Sequence, residues 1–305
     1  LLDELAIRPI KPVGNTDSPG LERLAAFQGG IVDMAILPPS EWRQLRDSGT
    51  EVGSVLSRQS GTGVALSFNV QSQQLADVAV RRAIWRAIDP WNYVDTVWSG
   101  QGFVSLGIPV RSPTSLLSRE EMRGLYFADP GMARDALAEV AGNLDIEISV
   151  RTESFGDVYV GLEQRLTDDL KQVGFNPTIR RLDPAQFSDV VLNQRDYQIA
   201  LGVLPPTSTT NSFLTALLHS QGRWNISGHQ DRELDAMIEM QASEFDPIKR
   251  EELLKEIQRR VLDQAYLFSP VTGASRWVFD PQVRGFYPNT ALSEYHYWSR
   301  VWLDR

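Results

Sequence analysis

The 305-residue chain contains no cysteine, an absence that removes disulfide frameworks, thiolate metal centres and cysteine nucleophiles together. Histidine is nearly as scarce: His219, His229 and His296 are too far apart in sequence to form a metal-ligand spacing. No apolar run approaches the roughly 18 residues that a membrane-crossing helix requires, so direct insertion into a bilayer is not expected. Basic residues are in deficit, 30 Lys and Arg against 39 Asp and Glu for a net charge of −9. That leaves no surplus to neutralise phosphates and argues against nucleic acid as a partner.

Catalytic patterns are missing as well. Gly61-Thr-Gly63 precedes a strand instead of following one, so it is no dinucleotide or phosphate loop. Asp168-Asp169 falls in mid-helix, where adjacent side chains diverge, which argues against a working carboxylate pair. No nucleophile-elbow pattern occurs. The reading is a protein that is not an enzyme and that carries no resident metal or cofactor. What is present, 42% hydrophobic and 23% charged residues, fits a globular chain with one large core or two lobes.

The stretch from Val64 to Trp98 organises the rest. It opens as a strand, Val64-Ala-Leu-Ser-Phe-Asn-Val70, crosses a polar turn, and becomes a helix pair. Asp77 is placed as the N-cap of the first helix. Val80, Ile84 and Ile88 share one face, with Arg81, Arg82 and Arg86 displaced around the cylinder. Asp89-Pro90 closes that helix and starts the next. Before this stretch, strands are expected over 4–10, 31–36 and 49–58, with short helices over 21–28 and from Glu41. After it, Ile146, Ile148 and Val150 alternate with Glu147, Ser149 and Arg151 in a half-buried strand. Val158, Leu162, Leu166, Leu170 and Val173 mark an amphipathic helix stopped by Gly174. Strands over 178–182 and 197–203 flank a helix over 184–194, an alternation that predicts parallel sheet. Helices begin after Asp231 and Asp246, strands follow over 266–271 and 276–279, and an aromatic tail runs from Tyr295 to Trp302.

One segment reads as a binding loop. Gly202-Val-Leu-Pro-Pro-Thr-Ser-Thr-Thr-Asn-Ser-Phe-Leu214 follows a buried strand, and strand ends in open α/β sheets are where ligands are met. Leu204, Pro205 and Pro206 form an apolar shelf, followed by the hydroxyls of Thr207, Ser208 and Thr209 and the amide of Asn211. These groups suit a neutral polar ligand. The same residues also read as an N-cap for the helix through Phe213, and the two roles are compatible.

The sequence resembles family 5 of the extracellular solute-binding proteins, the oligopeptide, dipeptide and nickel receptors of ABC importers. The resemblance rests on Phe68-Asn69, the run from Asp77 to Ile84, Ala87-Ile88-Asp89, and Pro130-Gly-Met-Ala-Arg-Asp-Ala-Leu-Ala-Glu-Val-Ala-Gly142. Leu24-Ala-Ala-Phe-Gln-Gly-Gly-Ile-Val-Asp-Met-Ala35 adds to it. It implies an α/β, periplasmic-binding-protein-like fold of type II, two lobes with mixed or parallel sheets joined by a hinge. Residues 1–69 would belong to the first lobe, 70–280 would form the second, and 281–305 would return to the first. It further implies a monomer that captures a small or peptide-like solute and delivers it to the permease subunits. The expected location is the periplasm, or the cell exterior on a membrane anchor in a Gram-positive source. Beside importer duty, the resemblance leaves open a ligand-sensing domain of a regulatory protein. The chain starts where family members are well under way, so a preceding segment of the first lobe is expected.

The resemblance places Phe68 and Asn69 on a cleft-lining hinge strand and Trp224-Asn225 in a segment that returns over the ligand. Trp42 would face the cleft from the first lobe, and Trp224 alternatively packs between lobes. One departure stands out. The peptide receptors carry an acidic residue for the peptide ammonium where this chain has Pro206, and no carboxylate occurs between Asp196 and Asp231.

Overall fold

The computed structural model describes residues 6, 21–104, 108, 113–125, 128–140, 144–152, 157–203, 209–287 and 300–304. Most of the expected strand at 4–10 and most of the aromatic tail at 295–302 lie outside them. The described helices are α1 (Leu21–Gln28), α2 (Pro39–Asp47), α3 (Val78–Ala87), α4 (Pro90–Thr96), α5 (Arg119–Leu125), α6 (Pro130–Ala138), α7 (Asp157–Val173), α8 (Pro184–Phe187), α9 (Thr210–Phe213), α10 (Arg232–Ser243) and α11 (Pro247–Gln264). The strands are β1 (Met34–Leu37), β2 (Gly53–Phe68), β3 (Gly102–Phe103), β4 (Asp145–Arg151), β5 (Asn176–Leu182), β6 (Ile199–Val203), β7 (Leu267–Phe279), β8 (Val283–Arg284) and β9 (Trp302–Leu303).

Seven strands form one mixed sheet in the order β1-β7-β2-β6-β4-β5, with β3 pairing on β7. Only β4 with β5 and β4 with β6 are parallel, and the other pairings are antiparallel. The expectation of parallel sheet thus holds at one end of the sheet. The two strands expected over 49–58 and 64–70 are a single strand, β2, and those over 266–271 and 276–279 are likewise one, β7. Pairing between these two long strands resumes after the glycine-rich middle, with register shifts between Arg58 and Gly63 and between Val64 and Leu66.

Period-two alternation sorts the side chains of this sheet. Leu66 and Phe68 of β2, Ile199 and Leu201 of β6, and Ile148 and Val150 of β4 are buried in the main core, with residues of α3, α6, α7 and α11. At the other end of β7, Val278 packs with Leu24, Ala35, Leu37 and Leu45 against α1 and α2. On the reverse side of that end Trp277 packs with Val283, Phe286 and Val301, beside the small β8–β9 sheet. A buried carboxylate ties the first of these clusters together, Glu41 Oε2 accepting from the Leu24 amide at 2.8 Å.

Local signals fixed the helix starts. Asp77, Asp89, Asp231 and Asp246 each accept from backbone amides one to two residues into the following helix. The arginine face of α3 departs from expectation. Arg81 is only 3% exposed, and its guanidinium donates to the carbonyls of Leu75 at 2.6 Å, Ala76 at 3.0 Å, Gln264 at 2.8 Å and Ala265 at 3.2 Å. Ala265 is the left-handed C-cap of α11, so its carbonyls lack helical partners, and Arg81 supplies them. We expect Arg81→Met to lower unfolding free energy by about 2–4 kcal/mol, since it strands buried carbonyls while keeping the aliphatic volume. Urea denaturation checks this; a loss under about 0.5 kcal/mol would show that water replaces the guanidinium.

Candidate functional site

The face of the sheet opposite the main core carries small residues: Ala65 and Ser67 on β2, Ala200 and Gly202 on β6. A Cβ at Gly202 would lie 2.8 Å from Phe187 Cζ, so the missing side chain is what lets the Phe187 ring close onto the strand. Above these small residues lies a cavity of about 390 Å³. Its walls come from Pro184 and Phe187 of α8, from Ser188 and Leu192, and from Leu217, Leu218, Trp224, Ile226 and Ser227. Arg151 at the end of β4 and Tyr266 and Leu267 at the start of β7 complete it. It runs across the sheet face from Ala200, near the start of β6, to Gly202, and reaches the carboxyl end of β4 at Arg151. Both α8 and α9 run on as wider π-helical turns, through Gln194 and Leu218 respectively, and both extensions reach the cavity.

The wall around Ser227 is held by a closed set of hydrogen bonds. Asn225 is 2% exposed; its Nδ2 donates to the carbonyls of Ser220 and His229, and its Oδ1 accepts from the Gly228 amide at 3.1 Å. Gly228 adopts φ +70°, a conformation that a side chain would strain, with Gln71 pressed against the same position. The Leu218 carbonyl, 2.8 Å from His229 Nε2, fixes the proton there, leaving Nδ1 to accept from the Ser227 hydroxyl at 2.6 Å. His229 stacks on Tyr266 with ring centroids 4.2 Å apart. The Tyr266 hydroxyl donates to Asp231 Oδ2 at 3.1 Å, and burial, with that carboxylate, pushes the phenol up to about 12. Burial also raises the Asp231 carboxyl, but Arg260, the Leu234 amide and Tyr266 outweigh it and hold the group below its ordinary range.

The expected site residues fall into separate places. Trp224 lines the cavity. Phe68 is fully buried in the main core, behind Ser67. Asn69 uses its side chain within the scaffold, donating to the carbonyls of Arg195 and Tyr197 and accepting from the Gln71 amide. Asn225 is similarly engaged. Leu204, Pro205, Pro206, Thr207 and Ser208 lie outside the described residues. Thr209 caps α9 in a reciprocal arrangement with Ser212, and Asn211 Oδ1 accepts from Gln241 at 2.7 Å. Trp42 packs beside the α1–α2 cluster, with the Arg276 guanidinium 4.6 Å over its ring, and does not line this cavity. Residues not singled out from sequence, Arg151, Phe187 and Tyr266 foremost, make up much of the wall. Among the described residues no group of three or more His, Asp or Glu side chains could hold a metal, and no helix is long and apolar enough to cross a membrane.

Residues 2–225 match the model of the bacterial extracellular solute-binding proteins, family 5 middle region. The chain belongs to this family. Among curated relatives it is 22% identical over 284 residues to the oligopeptide-binding protein OppA of Bacillus subtilis (strain 168), covering 86% of this chain and 49% of OppA. The ABC transporter substrate-binding protein CtaP of Listeria monocytogenes superposes with a TM-score of 0.79 at 18% identity, over 92% of this chain and 58% of that one. NikA of Brucella suis, solved in complex with Fe(III)-EDTA, superposes with a TM-score of 0.76 at 18% identity, over 93% and 60%. The chain thus spans about half the length of the curated relative it matches. The likeness establishes the type II binding-protein fold expected from the sequence.

A pH dependence follows from the wall of this cavity. Burial holds His229 below its ordinary value of 6.5, so the unfolded chain binds a proton that the fold refuses. The stability contribution is intact above about 6.5 and is lost as pH falls below it. We expect the unfolding free energy of the wild type, read from urea titrations, to drop between pH 7.5 and 5.5 more steeply than that of His229→Gln, by at most about 1.4 kcal/mol per pH unit. Equal slopes would mean His229 titrates normally.

Proposed function

We propose that this chain is the cargo-holding part of a solute-binding protein that serves an ABC-type importer. It would capture a small solute between two lobes and deliver it to the permease, without covalent chemistry. The observation that carries this reading is the cavity on the small-residue face of the sheet, which reaches the carboxyl end of β4 at Arg151. Family membership supports it over a regulatory sensor, because the matching family is described as extracellular solute-binding proteins. The corresponding location is the periplasm or the outer surface of the cell, and the working form is a monomer.

We further propose two lobes that bend inside β2 and β7, which moves the boundaries expected at 69/70 and 280/281 to within these strands. The support is physical: these two strands each touch a separate hydrophobic cluster at either end, and their register shifts between Arg58 and Gly63. Ligand would then shift an open–closed equilibrium by binding the closed form better.

The test is thermal unfolding of the full natural protein with peptides, sugars, opines and nickel. A solute present at 100 times its Kd stabilises by about 2.7 kcal/mol, which raises the melting temperature by several degrees. Trp224→Ala, which removes a large wall of the cavity, is expected to weaken that solute at least about tenfold. An unmoved melting temperature across the panel, or an unaffected Trp224 variant, would count against the reading.

A further inference from the structure

The charge of the cavity wall names a class of cargo. Among the described residues that line it, Arg151 is the one side chain with a formal charge. Its Nε is buried and has no hydrogen-bond partner among the described residues. The arginines on the adjoining strand β5 differ: Arg180 pairs with Glu147 and Asp196, and Arg181 pairs with Glu163 at 2.7 Å. Arg151 makes no ion pair with any described residue, although it stands at the carboxyl end of β4, facing the space beside Phe187. The carboxylates next to the wall are engaged elsewhere: Asp231 by Arg260 and Tyr266, Asp183 as the cap of α8, and Asp189 by Gln194. The segment that closes the cavity brings no other, since the sequence holds no Asp or Glu between Asp196 and Asp231.

A guanidinium with an unfilled donor in a largely apolar hollow attracts an oxyanion and repels an ammonium or a bare metal cation. We infer that the cavity takes a small acidic solute, with its oxyanion at the Arg151 guanidinium and its apolar body against Phe187, Leu192 and Trp224. This rests on the solute-binding reading and specifies the solute. Carboxylates and phosphates share the required chemistry, and both fit a site of this size.

The experiment is isothermal titration calorimetry on the full natural protein with matched aromatic and aliphatic series: carboxylates, their amides, the corresponding amines, and phenyl phosphate. The acids are expected to bind about 10- to 100-fold more tightly than their amides, the range for a hydrogen bond to a charged group. Arg151→Gln should bring the acids down to the amide level, while Arg151→Lys keeps part of the preference. Arg151 is partly exposed, so both variants should melt within a few degrees of the wild type without solute. Amides or amines binding as tightly as acids, or an Arg151→Gln variant that keeps the acid preference, would overturn it while leaving the solute-binding reading intact. If phenyl phosphate outbinds the carboxylates the oxyanion is a phosphate, and the reverse order makes it a carboxylate; either supports the assignment. Silence from every series, whatever its charge, brings down the solute-binding reading along with this one.

Discussion

The structure depends on the register between β2 and β7. These strands pair antiparallel from Gly53 with Phe279 to Ser67 with Leu267, and no other pair in the described sheet runs so far. Because side chains alternate with period two, that register decides which residues meet the main core and which meet the cavity. In the observed alignment Leu66 and Phe68 are buried in the core and Ser67 faces the cavity, while Ala65 touches both. A slip by one residue would fill the cavity with Leu and Phe and leave Ala and Ser in the core. The alignment is held from the other side too, since Val64 to Phe68 pair with Val203 to Ile199 of β6. Core and cavity are therefore two faces of one decision.

The second constraint is how polar groups are used behind the cavity wall. Buried donors and acceptors must be satisfied, or each costs roughly 1–3 kcal/mol. Asn69, Asn225, His229 and Asp231 meet that demand among themselves and with backbone groups. Tyr197 does so through the Ile226 carbonyl, its phenol pushed far up by burial. Such residues shape a site without contacting what enters it. Contact falls to side chains with capacity left over, and in this wall those are the stacking surface of Trp224 and the guanidinium of Arg151.

This division also explains what could be read from the sequence. Helix starts at Asp77, Asp89, Asp231 and Asp246 were legible because an N-cap is a local bargain between a carboxylate and amides two or three residues on. The family was legible because the Phe68 to Gly102 pattern is long. The continuity of β2 was not, since Gly61 and Gly63 read as a break until a partner strand holds them extended. Arg81 was read with its solvent-facing neighbours, because nothing local shows that the end of α11 arrives over it. Asn69 and Asn225 were expected to contact the ligand, and only tertiary contacts show that their amides are engaged within the scaffold. Arg151 was passed over for a related reason: alternation marks a position as turned away from the core but cannot distinguish water from a cavity.

Fold and cargo thus rest on different residues, and likeness in one does not transfer to the other. At 18% identity, CtaP and NikA share the fold with this chain. What a binding protein accepts is decided by a few wall positions, where a single charge outweighs many shared apolar contacts. In the proposed reading, Pro206 in place of the acid of the resembled peptide receptors, with no carboxylate from 197 to 230, removes one attraction for an ammonium. The Arg151 guanidinium in the cavity wall would go further and reverse the sign of the selection. In the proposed capture by closure, that charge acts most strongly when the lobes shut, because expelling water lowers the local dielectric around it. The closed form then owes part of its stability to an anion that only the right solute brings.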